Sequence, residues 1–131
     1  MGAIGDVMGY ADEFTISRRE WSRGDGAHES CLLRSNDKMK CCLGFYSLHV
    51  GISEQGILNV SSPGRLKVYG VPIPPSMTWL VDPPAENCLG NSKISQTLMD
   101  INDSVNMEDP EREERIAEIF AEQGIGVNFA D

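Results

Sequence analysis

The sequence predicts an α+β domain, a small and mainly antiparallel sheet packed by two or three helices. Three observations predict it. Glu13-Phe14-Thr15-Ile16-Ser17 and Gly126-Val127-Asn128-Phe129-Ala130 alternate apolar and polar residues, the period of a half-buried strand. Asp109-Pro110-Glu111 joins a capping residue, a proline suited to the first helical turn and an acid favoured at the positive end of a helix. Gly124 then supplies a stop. A length of 131 residues with 40% apolar side chains describes one domain, able to bury a core without a disulfide or metal staple.

Taken in order, residues 1–12 are Gly-rich with scattered apolar side chains and read as a loosely attached arm, leaving 13–131 as the domain. Ser30 to Arg34 reads as a second strand, and Ser35-Asn36-Asp37-Lys38 as the turn that follows. Met39 to Val50 is the most apolar stretch. Its length and Gly51 at its end favour a helix, although a short apolar run also suits a strand. Residues 53–92 hold six of the seven prolines and read as an irregular insert anchored by Leu66, Val68, Val71, Ile73, Trp79, Leu80 and Val81. Ser92 to Ile101 reads as a short helix, and Pro110 to Gln123 as a longer one with Ile116, Ile119 and Phe120 on its inner stripe.

The net charge of −9 is unevenly spread. Residues 100–131 carry ten acids and two bases, so the C-terminal quarter holds −8 of it. Such a balance excludes duplex DNA or RNA as the expected partner. No run approaches the length of a bilayer span, and the first residues lack the basic and apolar regions of a secretory signal. The expectation is a cytosolic chain with Cys31, Cys41, Cys42 and Cys88 as reduced thiols.

Catalytic and metal signatures are weak. Asp100, Asn102, Ser104, Asn106, Glu108 and Glu111 match the ligand spacing of a calcium loop, but Val105 occupies the place where the sharp turn needs glycine. An acidic turn leading into a helix cap accounts for the same residues. His28-x-x-Cys31 is one tolerable half of a zinc site, and no second half with matching spacing follows. There is no phosphate-cradling glycine motif and no nucleophile elbow. No catalytic residue, cofactor or metal is therefore expected. Trp21 to Arg34 stands out instead. It joins an indole, a Gly24/Gly26 loop with backbone amides to offer, and Arg23, His28 and Arg34, groups suited to phosphate or carboxylate recognition and to base stacking.

Trp21-Ser22-Arg23-Gly24, Ser30-Cys31-Leu32-Leu33, Lys40-Cys41-Cys42-Leu43-Gly44-Phe45 and Leu98-Met99-Asp100-Ile101-Asn102-Asp103 together resemble small proteins encoded by tailed phages and prophages. The likeness spans roughly residues 14–129, and Cys-Cys-Leu-Gly is its most distinctive part. It implies an accessory protein of a mobile element, acting in the cytosol of a bacterial host as a counter-defence factor. Such a factor sequesters a nucleotide-derived messenger or docks on a host defence protein. For the first mode, Arg23, His28 and Arg34 would engage phosphates, Trp21 or Trp79 would stack on a base, and Asn102 and Asp103 would bind ribose or base edges. Arg65 or Arg115 would complete the pocket across the interface of a homo-oligomer. For the second mode, the acidic C-terminal helix would mimic a polyanion, with Glu111, Glu114 and Glu118 as its contacts.

Overall fold

The computed structural model describes residues 12–24, 26, 31–82 and 90–131. Strand β1 (Asp12–Ser17) is followed by helix α1 (Cys42–His49), a single turn α2 (Glu54–Ile57), the short strands β2 (Val81–Asp82) and β3 (Gly90–Asn91), helices α3 (Lys93–Asp103) and α4 (Asp109–Glu122), and strand β4 (Ile125–Ala130). The α+β class stands. Within it the sheet differs from expectation. β1 and β4 pair parallel, in register from Asp12↔Ile125 to Ser17↔Ala130, and only the two-residue β2–β3 pair is antiparallel. Alternation identifies a strand and its buried face, but it does not name the partner or its direction.

On the inner face of the long pair, Phe14 and Ile16 are buried while Glu13 and Thr15 are exposed. α1 packs across that face. Six consecutive residues from Cys42 to Ser47 are buried, as a helix apolar on all sides requires. Gly44 is what allows the approach, since a Cβ there would lie 1.9 Å from the backbone oxygen of Leu32. Leu32 belongs to the expected second strand. Its described part, 31–34, forms no ladder; it makes an isolated bridge from Leu33 to Leu58 and separate backbone bonds to Val60, Met39 and Cys41.

The Pro-rich insert, through residue 82, is a chain of 3-10 turns pinned by fully buried Leu66, Met77 and Leu80. Val68, one of its expected anchors, is 51% exposed instead. α3 begins at Ser92, whose side chain accepts from the Ser95 amide, a regular N-cap. α4 starts one residue earlier than expected, with Glu108 rather than Asp109 at the cap, and it ends before Gly124, whose φ of +78° suits glycine. Phe14, Tyr46 and Phe120 meet with ring centroids 4.9–5.3 Å apart, and Trp79 joins at 5.4 Å from Phe120. This aromatic cluster ties β1, α1, α4 and the insert into one core.

Candidate functional site

Two of the expected ligand-binding residues lie in the interior. Trp21 is 1% exposed and Asn102 is fully buried. The indole Nε1 donates to Asn102 Oδ1 at 2.8 Å, and the Cys42 amide donates to the same oxygen at 3.0 Å. Asn102 Nδ2 donates to the Ser22 carbonyl and to Asp103 Oδ1, both at 3.0 Å. Every hydrogen-bonding site of the side chain is thereby engaged, with nothing left for a ribose or a base. The same geometry disposes of the calcium spacing: residues 100–103 are helical and Asn102 is committed inward.

The glycine loop is spent in the same way. The Gly24 amide donates to the Asn102 carbonyl at 2.8 Å and the Gly26 amide to the Asp103 carbonyl at 3.0 Å, so neither is offered to a phosphate. Gly24 adopts φ +72°, and a Cβ there would meet Arg112 Nη2 at 3.2 Å. The Trp-x-Arg-Gly, Cys-Cys-Leu-Gly and Ile-Asn-Asp segments thus converge on one buried node. They build the fold at this point, and most of their polar groups satisfy one another; the buried Ser22 Oγ has no partner among the described residues.

Sequence reasoning passed over the residue at the centre of that node. Arg112 is 3% exposed. Its Nη1 donates to the carbonyls of Ile101, Asn102 and Ser104, at 2.8, 3.2 and 2.9 Å. Nη2 donates to the Met107 carbonyl, and Nε to Asp109 Oδ1 at 3.3 Å. The last carbonyls of α3 are shared out: the guanidinium takes those of Ile101 and Asn102, and the Gly24 and Gly26 amides donate to those of Asn102 and Asp103. A signal was available: Arg112 falls in step with Ile116 and Phe120, four residues apart, on the apolar stripe of an otherwise acidic helix.

The arginines do not gather in one hollow. Arg23 lies 4.5 Å over the Trp21 ring and donates from Nε and Nη2 to Asp109 Oδ2 at 3.2 and 3.0 Å. The Arg23 guanidinium, helped by Arg112, holds the Asp109 carboxyl below the usual carboxylate range. Arg34 is paired with Asp37 inside its own turn, at 2.7 Å. Arg65 sits exposed on the Pro63–Arg65 turn, and Arg115 lies on the outer face of α4, 3.9 Å from Glu111. Trp79 belongs to the edge of the aromatic core and donates its Nε1 to the Ser76 carbonyl. His28 and Cys88 lie outside the described residues.

The described thiols are poor nucleophiles. Burial pushes Cys41 up to about 12 and raises Cys42 well above its ordinary value, and it raises half-buried Cys31 as well. His49 is engaged by Asp12 and packs against the rings of Phe14 and Tyr46. Among the described residues, no three His, Cys, Asp or Glu side chains are placed to hold a metal ion. Alkylation at mildly alkaline pH, mapped by peptide mass, is expected to modify Cys31 ahead of Cys41 and Cys42, which stay untouched until denaturant is added. Labelling of Cys41 in the folded protein at the rate of a free thiol would contradict this burial.

Two further surfaces complete the picture. A cavity of about 230 Å³ is lined by Cys41, Ser61, Ser62, Asn91, Gln96, Met99, Asp100 and Asp103. Its charged lining groups are carboxylates, the wrong sign for phosphate. The outer face of α4 carries Glu111, Glu114, Glu118 and Glu122, all exposed. No helix among the described residues is long and apolar enough to cross a membrane. No protein-family model, curated protein or solved structure matches this chain, so its function has to be argued from its own residues.

Proposed function

We propose that the chain is a non-catalytic binding protein that presents α4 as an anionic surface to a basic protein. The observation that carries this reading is the acidic stripe. Glu111, Glu114, Glu118 and Glu122, spaced by three, four and four residues, share one face of a 14-residue helix about 21 Å long. Arg115 is the one basic residue among them.

The stripe works against the helix that bears it. Glu114 and Glu118 stand four residues apart, as do Glu118 and Glu122, and each like-charged pair costs about 0.2–0.5 kcal/mol. Glu118 and Glu122 also lie toward the negative end of the helix dipole, where a stability-optimised sequence would carry lysine or arginine. No base occupies the last turn. The cations nearby are consumed internally: Arg18 by Glu113 and Asp131, Arg23 by Asp109. With Arg115, 3.9 Å from Glu111, as the one base on this face, the stripe still projects a net negative field, which favours fast, salt-sensitive association with a basic surface.

Together with the resemblance to phage-encoded proteins, this points to a component of a host defence complex as the partner. Capture of a nucleotide-derived messenger draws less support, because the indole is sealed and Arg23 and Arg34 are already paired with carboxylates.

The test is a pull-down from bacterial lysate with the wild type and with the triple variant Glu111→Lys, Glu114→Lys, Glu118→Lys. The wild type is expected to retain a basic protein at low salt and release it at high salt. The triple variant is expected to retain none while remaining folded, as circular dichroism would show. Retention of the same protein by the triple variant, or the absence of any salt-released partner, overturns the proposal.

A further inference from the structure

We infer that the chain self-associates, with Tyr69 of one copy seated in a hollow between α3 and α4 of another. The inference goes beyond the proposed function and does not depend on it. It starts from two exposed apolar side chains. Val68 is 51% and Tyr69 60% exposed, side by side on the 3-10 turn Lys67–Tyr69.

That turn is held firmly. Leu66 beneath it is fully buried, and its carbonyl accepts from the amides of Tyr69 and Val71, both at 3.0 Å. Gly70, at φ +82°, closes the turn. An aromatic ring at the tip of an anchored turn loses little freedom on docking, which is why tyrosine and arginine are enriched at interface anchors. Arg65 and Lys67 precede the ring on the same run of turns, are exposed, and form no ion pair among the described residues.

The matching hollow measures about 260 Å³ and is lined by Lys93, Ile94 and Thr97 of α3 and by Ile119 and Glu122 of α4. Ile94 and Ile119 make its walls apolar. Its isoleucines beside Lys93 and Glu122 suit an aromatic side chain with a polar tip. Glu122 stands on its rim and Glu118 one turn away, while Lys93 on the α3 side offsets part of that charge. An exposed ring preceded by two exposed cations is thus complementary to an apolar hollow bordered by the acidic stripe.

The occupant is a second copy because one chain carries both halves. Their union covers the exposed ring and the apolar hollow in a single step. A contact between two different surfaces of one chain repeats from copy to copy until it closes. It also occupies the C-terminal end of the acidic stripe, so self-association and the docking of a basic partner compete for Glu118 and Glu122.

Sedimentation velocity of the full chain at low salt tests this. The expected result is a mass that rises above 14.4 kDa with concentration and falls back with added salt. Tyr69→Glu is expected to weaken association about thirtyfold, the size of a hot-spot truncation, while Tyr69→Phe preserves it. Lys67→Glu and Glu122→Lys are each expected to weaken it about threefold, and the double variant to recover most of that loss. A monomer at every concentration, association unaffected by Tyr69→Glu, or a double variant weaker than either single one overturns the inference. A pull-down with the double variant Glu111→Lys, Glu114→Lys reads the proposed function separately, since it leaves Tyr69, Lys67, Glu118 and Glu122 intact.

Discussion

Replacing Arg112 by methionine is expected to destabilise the protein by about 3–5 kcal/mol, the cost of leaving a buried polar network without its charged partner. The side chain reaches four backbone carbonyls across the α3–α4 connection and the Asp109 carboxylate. Methionine fills much of the volume but donates nothing. The carbonyls of Ile101, Ser104 and Met107 would then lose the donor that the guanidinium supplies, while that of Asn102 keeps the Gly24 amide. Lysine is expected to restore only a small part of the loss, because a point-like ammonium cannot span acceptors that the planar guanidinium meets in two directions. Chemical denaturation reads the outcome. A loss below about 1 kcal/mol would mean that water replaces the guanidinium and that the connection is not organised by it. Since whole domains are stable by only about 5–15 kcal/mol, the expected loss brings the protein close to unfolding.

Asn102→Ala is expected to cost about 3–4 kcal/mol by a different route. Here donors as well as acceptors are orphaned: the Trp21 indole N–H, the Cys42 amide at the start of α1 and the Ser22 carbonyl all lose their partner. Asn102→Asp is the sharper experiment. Its carboxylate keeps the two accepted bonds, loses both donated ones, and places a second charge beside Asp103 in the interior. That variant is expected to be the less stable at neutral pH and to recover as the pH falls and the new carboxyl takes up a proton, the reverse of ordinary acid destabilisation. Equal stability of Asn102→Asp and wild type at neutral pH would show that the node is hydrated. Because Arg112 bonds the backbone oxygen of Asn102, the two substitutions share a network, and the losses in the double variant should fall short of their sum.

The parts of the fold that were legible rest on local physics. Asp109-Pro110-Glu111, the Ile116/Phe120 stripe and Gly124 specify α4 to within a residue, since capping, backbone restriction and burial agree there. The strands at 13–17 and 126–130 were legible for the same reason. Their parallel pairing was not, because it is set by everything packed between them. The site failed to follow from sequence at a similar boundary. Trp21, Arg23 and Asn102 are chemically suited to a ligand, and equally suited to one another across some eighty residues of chain. Nothing local distinguishes the two outcomes. Arg112 was the informative exception, a cation in an apolar register. The acidic stripe was legible outright, since exposed charge at helical spacing needs no distant partner to be interpreted.

The pairing of β1 with β4 has a consequence for synthesis. Each residue of β1 meets a partner more than a hundred positions further along, so the sheet cannot begin to form on a nascent chain until nearly all of the intervening polypeptide has left the ribosome. Until then Phe14 and Ile16 have no strand beside them. Closing so long a loop is entropically slow, and during that interval the early hydrophobic segment is open to chaperones and to misassociation.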